Sequence, residues 1–397
     1  AQMMTVQRDL EKVAGVSAIL YVQTCAAEKR RRRKKGQFPD PDRRIFINPD
    51  VCEGCGDCSV QSNCVSIVPL DTELGRKRQI DQSSCNKDYS CVNGFCPSFV
   101  SVKGGKLRKP KAEAFDLPDL PQPTLPTING THNVVITGVG GTGVVTIGAV
   151  LAQAAHMDGK GAGMMEMAGL AQKGGAVHIH LRLAERPADI SAIRVAVGEA
   201  DCVIGGDLVV TAGAKTVGLM TQGRTGAVVN DHEIITGDFT RFRDFQVPSD
   251  RLRLSLQARL GDRVAFFDAN DLALRLLGDS IYSNMLVLGA CWQRGLIPLS
   301  LEAIMEAIRL NGAQVDANQR AFQIGRWAAV YPEQTRKPAE VTQLPVDPVT
   351  YRAERLVGYQ NKRLAARYRK LVDAAPAPLR DSVARSYYKL LAYKDEY

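Results

Sequence analysis

Residues 134–143 read Val134-Val-Ile-Thr137-Gly138-Val-Gly140-Gly141-Thr-Gly143, and an apolar run follows at residues 144–156. This order predicts a strand, a tight glycine-rich turn and a helix, since glycine readily adopts the backbone angles of such a turn. Backbone N–H groups at the start of the helix can contact a phosphate. Gly138, Gly140, Gly141 and Gly143 are therefore candidate cofactor-binding residues, with close helix–strand packing as the alternative role.

Outward from this loop, residues 132–332 alternate strand-like apolar runs with helical ones. The alternation predicts a Rossmann-like α/β sheet with helices on both faces. The strand-like runs are residues 134–137, 176–183, 202–205, 227–230 and 264–268.

A second glycine-containing segment precedes the run at 176–183. Lys173 stands before Gly174 and Gly175, and we predict that these three residues meet an anionic ligand. Glu166 lies about where a dinucleotide site has the acidic residue that contacts the ribose, which keeps an NAD site open. The histidines at positions 178 and 180 lack a nearby third ligand in the sequence, so a polar or interface-facing strand is favoured there.

Seven of the ten cysteines lie between Cys52 and Cys96. Three thiols fall within seven residues at Cys52, Cys55 and Cys58, whereas zinc sites draw ligands as separated pairs. In two-cluster ferredoxins each cysteine run gives three ligands to one iron–sulfur cluster and its fourth, before proline, to the other. This pattern assigns Cys52, Cys55, Cys58 and Cys96 to one [4Fe–4S] cluster.

The second set departs from the ferredoxin pattern at one position. Cys64, Cys85 and Cys91 would hold the second cluster, and Asp88 stands where the fourth cysteine is expected. A carboxylate can ligate the fourth iron, or the corner is vacant and the cluster is [3Fe–4S]; the sequence leaves both open. Structural zinc and disulfides are less favoured alternatives.

Composition limits the partners. The chain has 397 residues, a net charge of +9 and 6% aromatic residues, which makes base stacking on nucleic acid an unpromising function. Residues 134–155 carry no charge and could just span a bilayer, but the four glycines within residues 138–143 favour strand, turn and helix. We therefore expect no membrane, no nucleic acid and a cytoplasmic protein. The seven consecutive cations at 29–35 are interpreted as a solvated connector, with attraction of a small acidic protein as an alternative.

These observations predict an α/β domain with a small α+β ferredoxin-like domain and a C-terminal helical segment. The expected divisions are a domain tail at 1–28, a basic linker at 29–44, the iron–sulfur domain at 45–102, a proline-rich linker at 103–131, the α/β domain at 132–332, a linker at 333–350 and the start of a helical region at 351–397.

The chain resembles the 2-oxoacid:ferredoxin oxidoreductases, most closely the fused bacterial indolepyruvate type. The resemblance is carried by the tail around Gly15 and Cys25, by both cysteine runs, by the two glycine segments, and by the stretches from Asn284 to Gly289 and from Asn318 to Arg326. These stretches keep the family's order along nearly the whole chain.

The resemblance implies oxidative decarboxylation of an arylpyruvate to an acyl-CoA, with electrons passed through iron–sulfur clusters to ferredoxin. It implies that residues 1–28 end a thiamine-diphosphate domain and that residues 132–332 form the family's gamma domain. No GDG motif for thiamine diphosphate and magnesium occurs in the sequence, so we expect those cofactors in remaining domains of the same polypeptide or complex. Coenzyme A as co-substrate and a homo-oligomer are also implied.

Two other functions remain open from sequence. One is an iron–sulfur electron-transfer subunit of an NAD- or flavin-linked oxidoreductase that uses the glycine loop for the nucleotide. The other is an iron–sulfur scaffold or nucleic-acid binder that uses the basic run, for which salt-sensitive DNA binding would be required.

Overall fold

The computed structural model describes residues 2–72, 75–105, 112, 115–168, 175–233, 239, 242, 245–335 and 347–392. Helix α1, Gln2–Leu10, comes first and buries none of its residues. Residues 16–25 then run extended, and the side chains of Val16, Leu20 and Val22 are more than 90% exposed. These exposed apolar side chains lie within a stretch of seven residues.

Most of the basic run forms part of helix α2, Ala26–Lys34, a helix that was not expected from sequence. Two of its arginines contact the backbone of the cysteine-rich region: Arg30 donates to the Ser84 carbonyl at 3.0 Å and Arg33 to the Asn86 carbonyl at 2.6 Å. These long-range contacts fix one face of the helix.

The cysteine-rich region contains two antiparallel strand pairs, β1 with β4 and β2 with β3. Their isoleucines Ile45, Ile47 and Ile67 are buried. The elements are β1 (Arg43–Ile47), α3 (Asp57–Ser62), β2 (Ile67–Thr72), β3 (Gly75–Ile80), a 3-10 turn (Ser90–Val92) and β4 (Phe99–Lys103).

A six-stranded sheet follows, in the order β10-β9-β8-β5-β7-β6. Strands β10, β9, β8 and β5 are parallel to one another, while β7 runs antiparallel to both β5 and β6. The strands are β5 (Thr131–Val139), β6 (Gly161–Ala168), β7 (Ala176–Ala184), β8 (Cys202–Gly205), β9 (Gly226–Asn230) and β10 (Val264–Phe267).

Helices pack on both faces of this sheet, which confirms the mixed α/β architecture. Val134 and Ile136 of β5 belong to one apolar core and the alternate residue Val135 belongs to another, because successive strand residues face opposite sides. The helices are α4 (Val144–Met157), α5 (Leu208–Thr211), α6 (Ala214–Val217), α7 (Ser249–Leu260), α8 (Ala269–Leu277), α9 (Ser283–Gln293), α10 (Leu301–Asn311), α11 (Val315–Val330) and α12 (Pro332–Thr335).

Strand β6 is absent from the runs expected from sequence. Its residues, GAGMMEMA, include two glycines and no β-branched side chain, so propensity gives a weak strand signal. Pairing with β7 makes it a strand. Glu166 on β6 lies opposite Ile179 of β7, and β7 separates it from β5. A dinucleotide fold has the acidic residue on the strand beside the first one, so this arrangement weighs against the NAD site.

Helices α9 and α11 cross at two glycines. A Cβ atom on Gly289 would lie 2.8 Å from the carbonyl carbon of Phe322 and closer still to its oxygen; a Cβ on Gly325 would lie 2.7 Å from the carbonyl carbon of Leu286. Only glycine at both positions allows this backbone approach.

The chain closes with α13 (Pro348–Tyr359), α14 (Lys362–Ala374) and α15 (Arg380–Leu391). They share a small apolar core around Leu356, Tyr368 and Ala384. The helical pattern at 352–374 is interrupted before Asn361, whose side chain caps α14 by accepting from the Leu364 N–H at 3.0 Å. Among the described helices, none has the length and apolarity to cross a bilayer.

Candidate functional site

Four cysteines surround one small cavity of about 40 Å³ in the cysteine-rich region. They are the four that the sequence assigned to the first cluster: Cys52, Cys55, Cys58 and Cys96. The first three come from the loop before α3 and its first turn, and the fourth comes from the segment before β4. The fold therefore brings together thiols 38 or more positions apart in the chain around one space.

Local backbone geometry explains the shape of the loop. Gly54 and Gly56 have φ angles of 70° and 83°, in the left-handed region that favours glycine. A Cβ on Gly54 would also collide with the backbone of Arg76 on β3. The Cys52–Cys58 loop can lie directly on β3 because that side chain is missing.

The cavity contains a buried cation. Arg78 of β3 lines it and is 1% exposed, and its guanidinium lies 4.3 Å from the ring centroid of the buried Phe239. The pKa of Cys58 is raised to about 11, mainly by burial and also by the neighbouring Cys52, while Arg78 acts in the opposite direction. Several thiolates at one buried site repel one another, so without metal the protonated thiol is favoured. A bound metal ion reverses this preference, because a thiol that coordinates metal is deprotonated.

The second set of predicted ligands is also brought together. The pKa of Cys91 is raised to about 12, mainly by burial and also by the nearby Cys64, Cys85 and Asp88. Asp88 is exposed, and its Oδ1 accepts from the backbone N–H of Ser90 at 3.2 Å and from the Ser90 hydroxyl at 3.0 Å. If the Asp88 carboxylate ligated iron, it would do so while also accepting these two hydrogen bonds from Ser90.

No group of three or more His, Cys, Asp or Glu side chains within the described ranges is already arranged to hold a metal ion. The four cysteines line one cavity, and their roles as ligands stay predictions. The donor set fits iron–sulfur ligation chemically, since thiolate is the ligand these clusters take.

The glycine loop joins β5 to α4 at the carboxyl edge of the parallel strands. Gly141 and Gly143 have φ angles of 98° and 84°. No side chain caps the N-terminus of α4, where Gly143 is the N-cap residue. The Gly140 N–H donates to the Gly175 carbonyl at 2.7 Å, which ties the loop to the start of β7. A Cβ on Gly138 would collide with the Val144 side chain. Lys173 and Gly174 lie outside the described residues.

Asn284 of helix α9 contacts this loop at Gly143. Its side-chain amide donates to the Gly143 carbonyl at 3.4 Å, and a Cβ added to Gly143 would collide with that amide. The sequence stretch around Asn284 signalled family resemblance but gave no sign of this contact, because the two residues are 141 positions apart.

Asp207, which the sequence analysis missed, lies at the same edge of the sheet. It follows β8 and is fully buried. Its Oδ1 accepts from the Val210 N–H at 2.9 Å, whereas its Oδ2 has no hydrogen-bond partner. Burial raises its pKa. The segment Gly205-Gly206-Asp207 after an apolar strand was the available signal, since ligands of parallel sheets bind at the carboxyl ends of strands.

Comparison with known proteins gives two matching family models. Residues 133–328 match the model for pyruvate ferredoxin/flavodoxin oxidoreductase, and residues 346–397 match a family of unknown function, DUF6537. The first match covers nearly all of the six-stranded sheet and of helices α4 to α11.

Curated relatives match about half of the chain. The indolepyruvate oxidoreductase subunit IorB of Thermococcus kodakarensis is 30% identical over 201 residues, which is 50% of this chain and 96% of the relative. The IorB subunit of Methanothermobacter thermautotrophicus is 28% identical over 200 residues, 50% of this chain and 97% of the relative. Among solved structures, the pyruvate oxidoreductase subunit PORC of Thermotoga maritima is 23% identical with a TM-score of 0.37, covering 50% of this chain and 96% of that one.

Proposed function

Because the chain belongs to the 2-oxoacid:ferredoxin oxidoreductase family, we propose that it is the electron-exit and gamma-type portion of an enzyme that oxidatively decarboxylates an arylpyruvate, such as indolepyruvate, to an acyl-CoA. The observation that carries this proposal is the cavity lined by Cys52, Cys55, Cys58 and Cys96 on the same chain as the family match. The proposed division follows the sequence: an iron–sulfur domain at 45–102 and the gamma-type domain at 132–332.

A bound [4Fe–4S] cluster would supply one-electron storage and transfer. Cys52, Cys55, Cys58 and Cys96 would hold the first cluster, and Cys64, Cys85 and Cys91 the second, with Asp88 beside it. The glycines at 54 and 56 let the loop wrap closely, and the buried guanidinium of Arg78 offsets the negative charge of the thiolates. A donor set of thiolates with one buried cation suits a group of net negative charge.

For coenzyme A, we propose that the loop from Gly138 to Gly143 receives a phosphate group. The N-terminus of α4 carries no side-chain cap, so its backbone N–H groups can donate to an anion. Gly175 fixes the loop from the side of β7, and Lys173 and Gly174 precede it in the sequence. Burial raises the pKa of Asp207, which favours its neutral form and weakens its repulsion of an anionic ligand.

The carbon chemistry is assigned to thiamine diphosphate and magnesium on partner domains or subunits, in line with relatives that are named as subunits. The exposed apolar segment around Val16 to Val22 is the proposed contact with such a partner, and a homo-oligomer of the whole assembly is expected. Ferredoxin is the proposed electron acceptor, in a reducing compartment such as the cytoplasm.

The cluster assignment is tested on anaerobically purified protein. We expect about seven or eight iron atoms per chain and a brown colour. Cys55→Ser should lose about four of them, whereas the control Cys25→Ser, outside both motifs, should keep the wild-type content. Zinc in place of iron in the wild type would refute the assignment.

The loop assignment is tested by calorimetric titration with coenzyme A and, separately, with NAD. Coenzyme A should bind the wild type, and Gly141→Val should weaken that binding because valine strains the positive φ. Gly358→Ala, at a position with open space in α13, is the matched control. Binding of NAD without binding of coenzyme A would favour the dinucleotide alternative instead.

A further inference from the structure

Helix α2 carries the densest positive charge of the chain directly over the loop that holds Cys85. Residues 29–35 contribute seven cations, and Glu28 is the only carboxylate in the helix. A block of this kind in a flexible connector would have no defined position. Here it has one, because the helix is anchored to the neighbouring loop.

The anchoring separates the arginines into two faces. Arg30 and Arg33 turn toward the loop and donate to the carbonyls of Ser84 and Asn86, the two residues that flank Cys85. Arg31 and Arg32 point away, and their side chains are 61% and 49% exposed. Both also contact Glu28, so these three side chains together keep a net charge of +1.

The loop below the helix belongs to the second set of cysteines. Lys87, two residues after Cys85, is fixed by its ammonium group to the Asp40 carboxylate at 2.8 Å and to the Pro41 carbonyl at 3.0 Å. Cys85 in turn is a close electrostatic neighbour of Cys91. A protein that lands on the outer face of α2 is therefore held next to this cysteine set.

We propose that the outer face of α2, centred on Arg31 and Arg32, is the docking surface for an acidic one-electron carrier protein. This inference rests on the proposed function, since it needs a redox centre at the second cysteine set. The chain transfers one electron to the oxidised carrier and thereby reduces it. No bond forms or breaks, and no proton is transferred. A positive surface steers a negative partner and raises its association rate, and such complexes are small and salt-sensitive.

The location favours a protein carrier over nucleic acid. Two of the central arginines of the run are used to hold the helix on the cysteine loop, which a phosphate-binding tract would not need. Few aromatic side chains accompany the cations: Phe38 is stacked under Arg33, at 5.4 Å from its guanidinium, and is therefore engaged with the helix itself.

The test uses the whole chain and a plant-type acidic [2Fe–2S] ferredoxin as probe. The double variant Arg31→Glu with Arg32→Glu should weaken ferredoxin binding about tenfold or more at low salt, and Arg31→Gln with Arg32→Gln should have an intermediate effect. The dependence of the dissociation constant on salt should flatten in both.

The matched control is Arg186→Glu with Arg309→Glu. These arginines are also exposed, each pairs with a carboxylate three positions away (Asp189 and Glu306), and the change in net charge is the same. Ferredoxin binding in this control should stay within about twofold of the wild type, because screening limits distant charges.

Electron transfer gives the second readout. After reduction with dithionite, oxidation by ferredoxin should slow in the α2 variant, while oxidation by a neutral quinone should keep its wild-type rate. Equal loss of ferredoxin binding in both charge-reversed proteins, or none in either, would overturn the proposal. Loss of duplex-DNA binding with unchanged ferredoxin binding would assign the face to nucleic acid. An absence of iron would refute the proposed function separately, because ferredoxin binding can be measured whether or not the chain holds a cluster.

Discussion

Replacing Gly289 by alanine should destabilise the α/β unit severely, although it adds only one methyl group. Gly289 lies in α9 where that helix crosses α11, and the new Cβ would lie 2.8 Å from the carbonyl carbon of Phe322 and closer to its oxygen. The obstacle is backbone, so no side-chain rotation relieves it. Leu286 and Gly325 form the reciprocal contact one turn away, which prevents the helices from pivoting apart.

The size of the effect follows from this geometry. Added methylenes in a packed core cost about 1–3 kcal/mol when side chains can adjust, and a fixed backbone places this substitution at or above the upper limit. At about 2–4 °C per kcal/mol for a unit of about 200 residues, a loss of about 3 kcal/mol lowers the unfolding midpoint by about 6–12 °C. Helix propensity alone would favour alanine by about 1 kcal/mol, so the expected loss of stability is what remains after that gain.

The assay is thermal unfolding followed by circular dichroism, with Gly358→Ala as control. Gly358 is also in a helix, α13, and a Cβ there meets nothing within 4 Å. The control should therefore raise or leave unchanged the midpoint of its own unit. A midpoint for Gly289→Ala within about a degree of the wild type would show that the two helices separate freely, and the close-crossing argument would be wrong.

Three further outcomes are expected. Arg78→Gln should lower the reduction potential of the first cluster, and Arg78→Lys should keep it near the wild-type value, since the effect is one of net charge. The measurement is a redox titration with electron-paramagnetic detection. Equal potentials in all three proteins would show that Arg78 does not set the potential. Asp88→Cys should complete the second cysteine set and lower its potential, or abolish a three-iron signal if the wild type has one; identical spectra and iron counts would place Asp88 outside the cluster. Burial lowers the pKa of His180, whose Nδ1 accepts from the Val195 N–H at 2.9 Å. As the pH falls, His180 therefore takes up a proton in the unfolded chain before it does so in the folded one. Its contribution to the free energy of unfolding is complete above pH 6.5 and declines as the pH falls below that value. Urea unfolding at several pH values should show this decline, and His180→Gln should reduce it.

Several features were predictable from sequence because they depend on short-range chemistry. Each of the five strand-like runs overlaps a strand of the six-stranded sheet. In the parallel strands the signal is a continuous apolar run, and in β7 it is the alternation of apolar and polar residues. The glycine turn was predictable because Gly141 and Gly143 need positive φ angles whatever surrounds them.

Other features were hidden because they depend on neighbours distant in sequence. Strand β6 exists through its pairing with β7, and the basic run is fixed by carbonyls more than 50 positions away. The position of Asp207 after a strand could be read from the sequence, but its full burial and its unpartnered Oδ2 could not. Propensity and spacing carry no information about such contacts.

The sequence by itself determined the chemistry available to this protein: seven clustered thiols, one aspartate in a cysteine position, and a glycine turn before a helix. Residue types and their spacing specify which ligands and turns are possible, and both are local properties of the chain. The tertiary structure decided which groups meet. It placed Cys96 with the Cys52–Cys58 loop around one cavity, buried Arg78 beside them, and laid a basic helix over Cys85. Those encounters are set by packing and long-range hydrogen bonds, which only the folded chain contains.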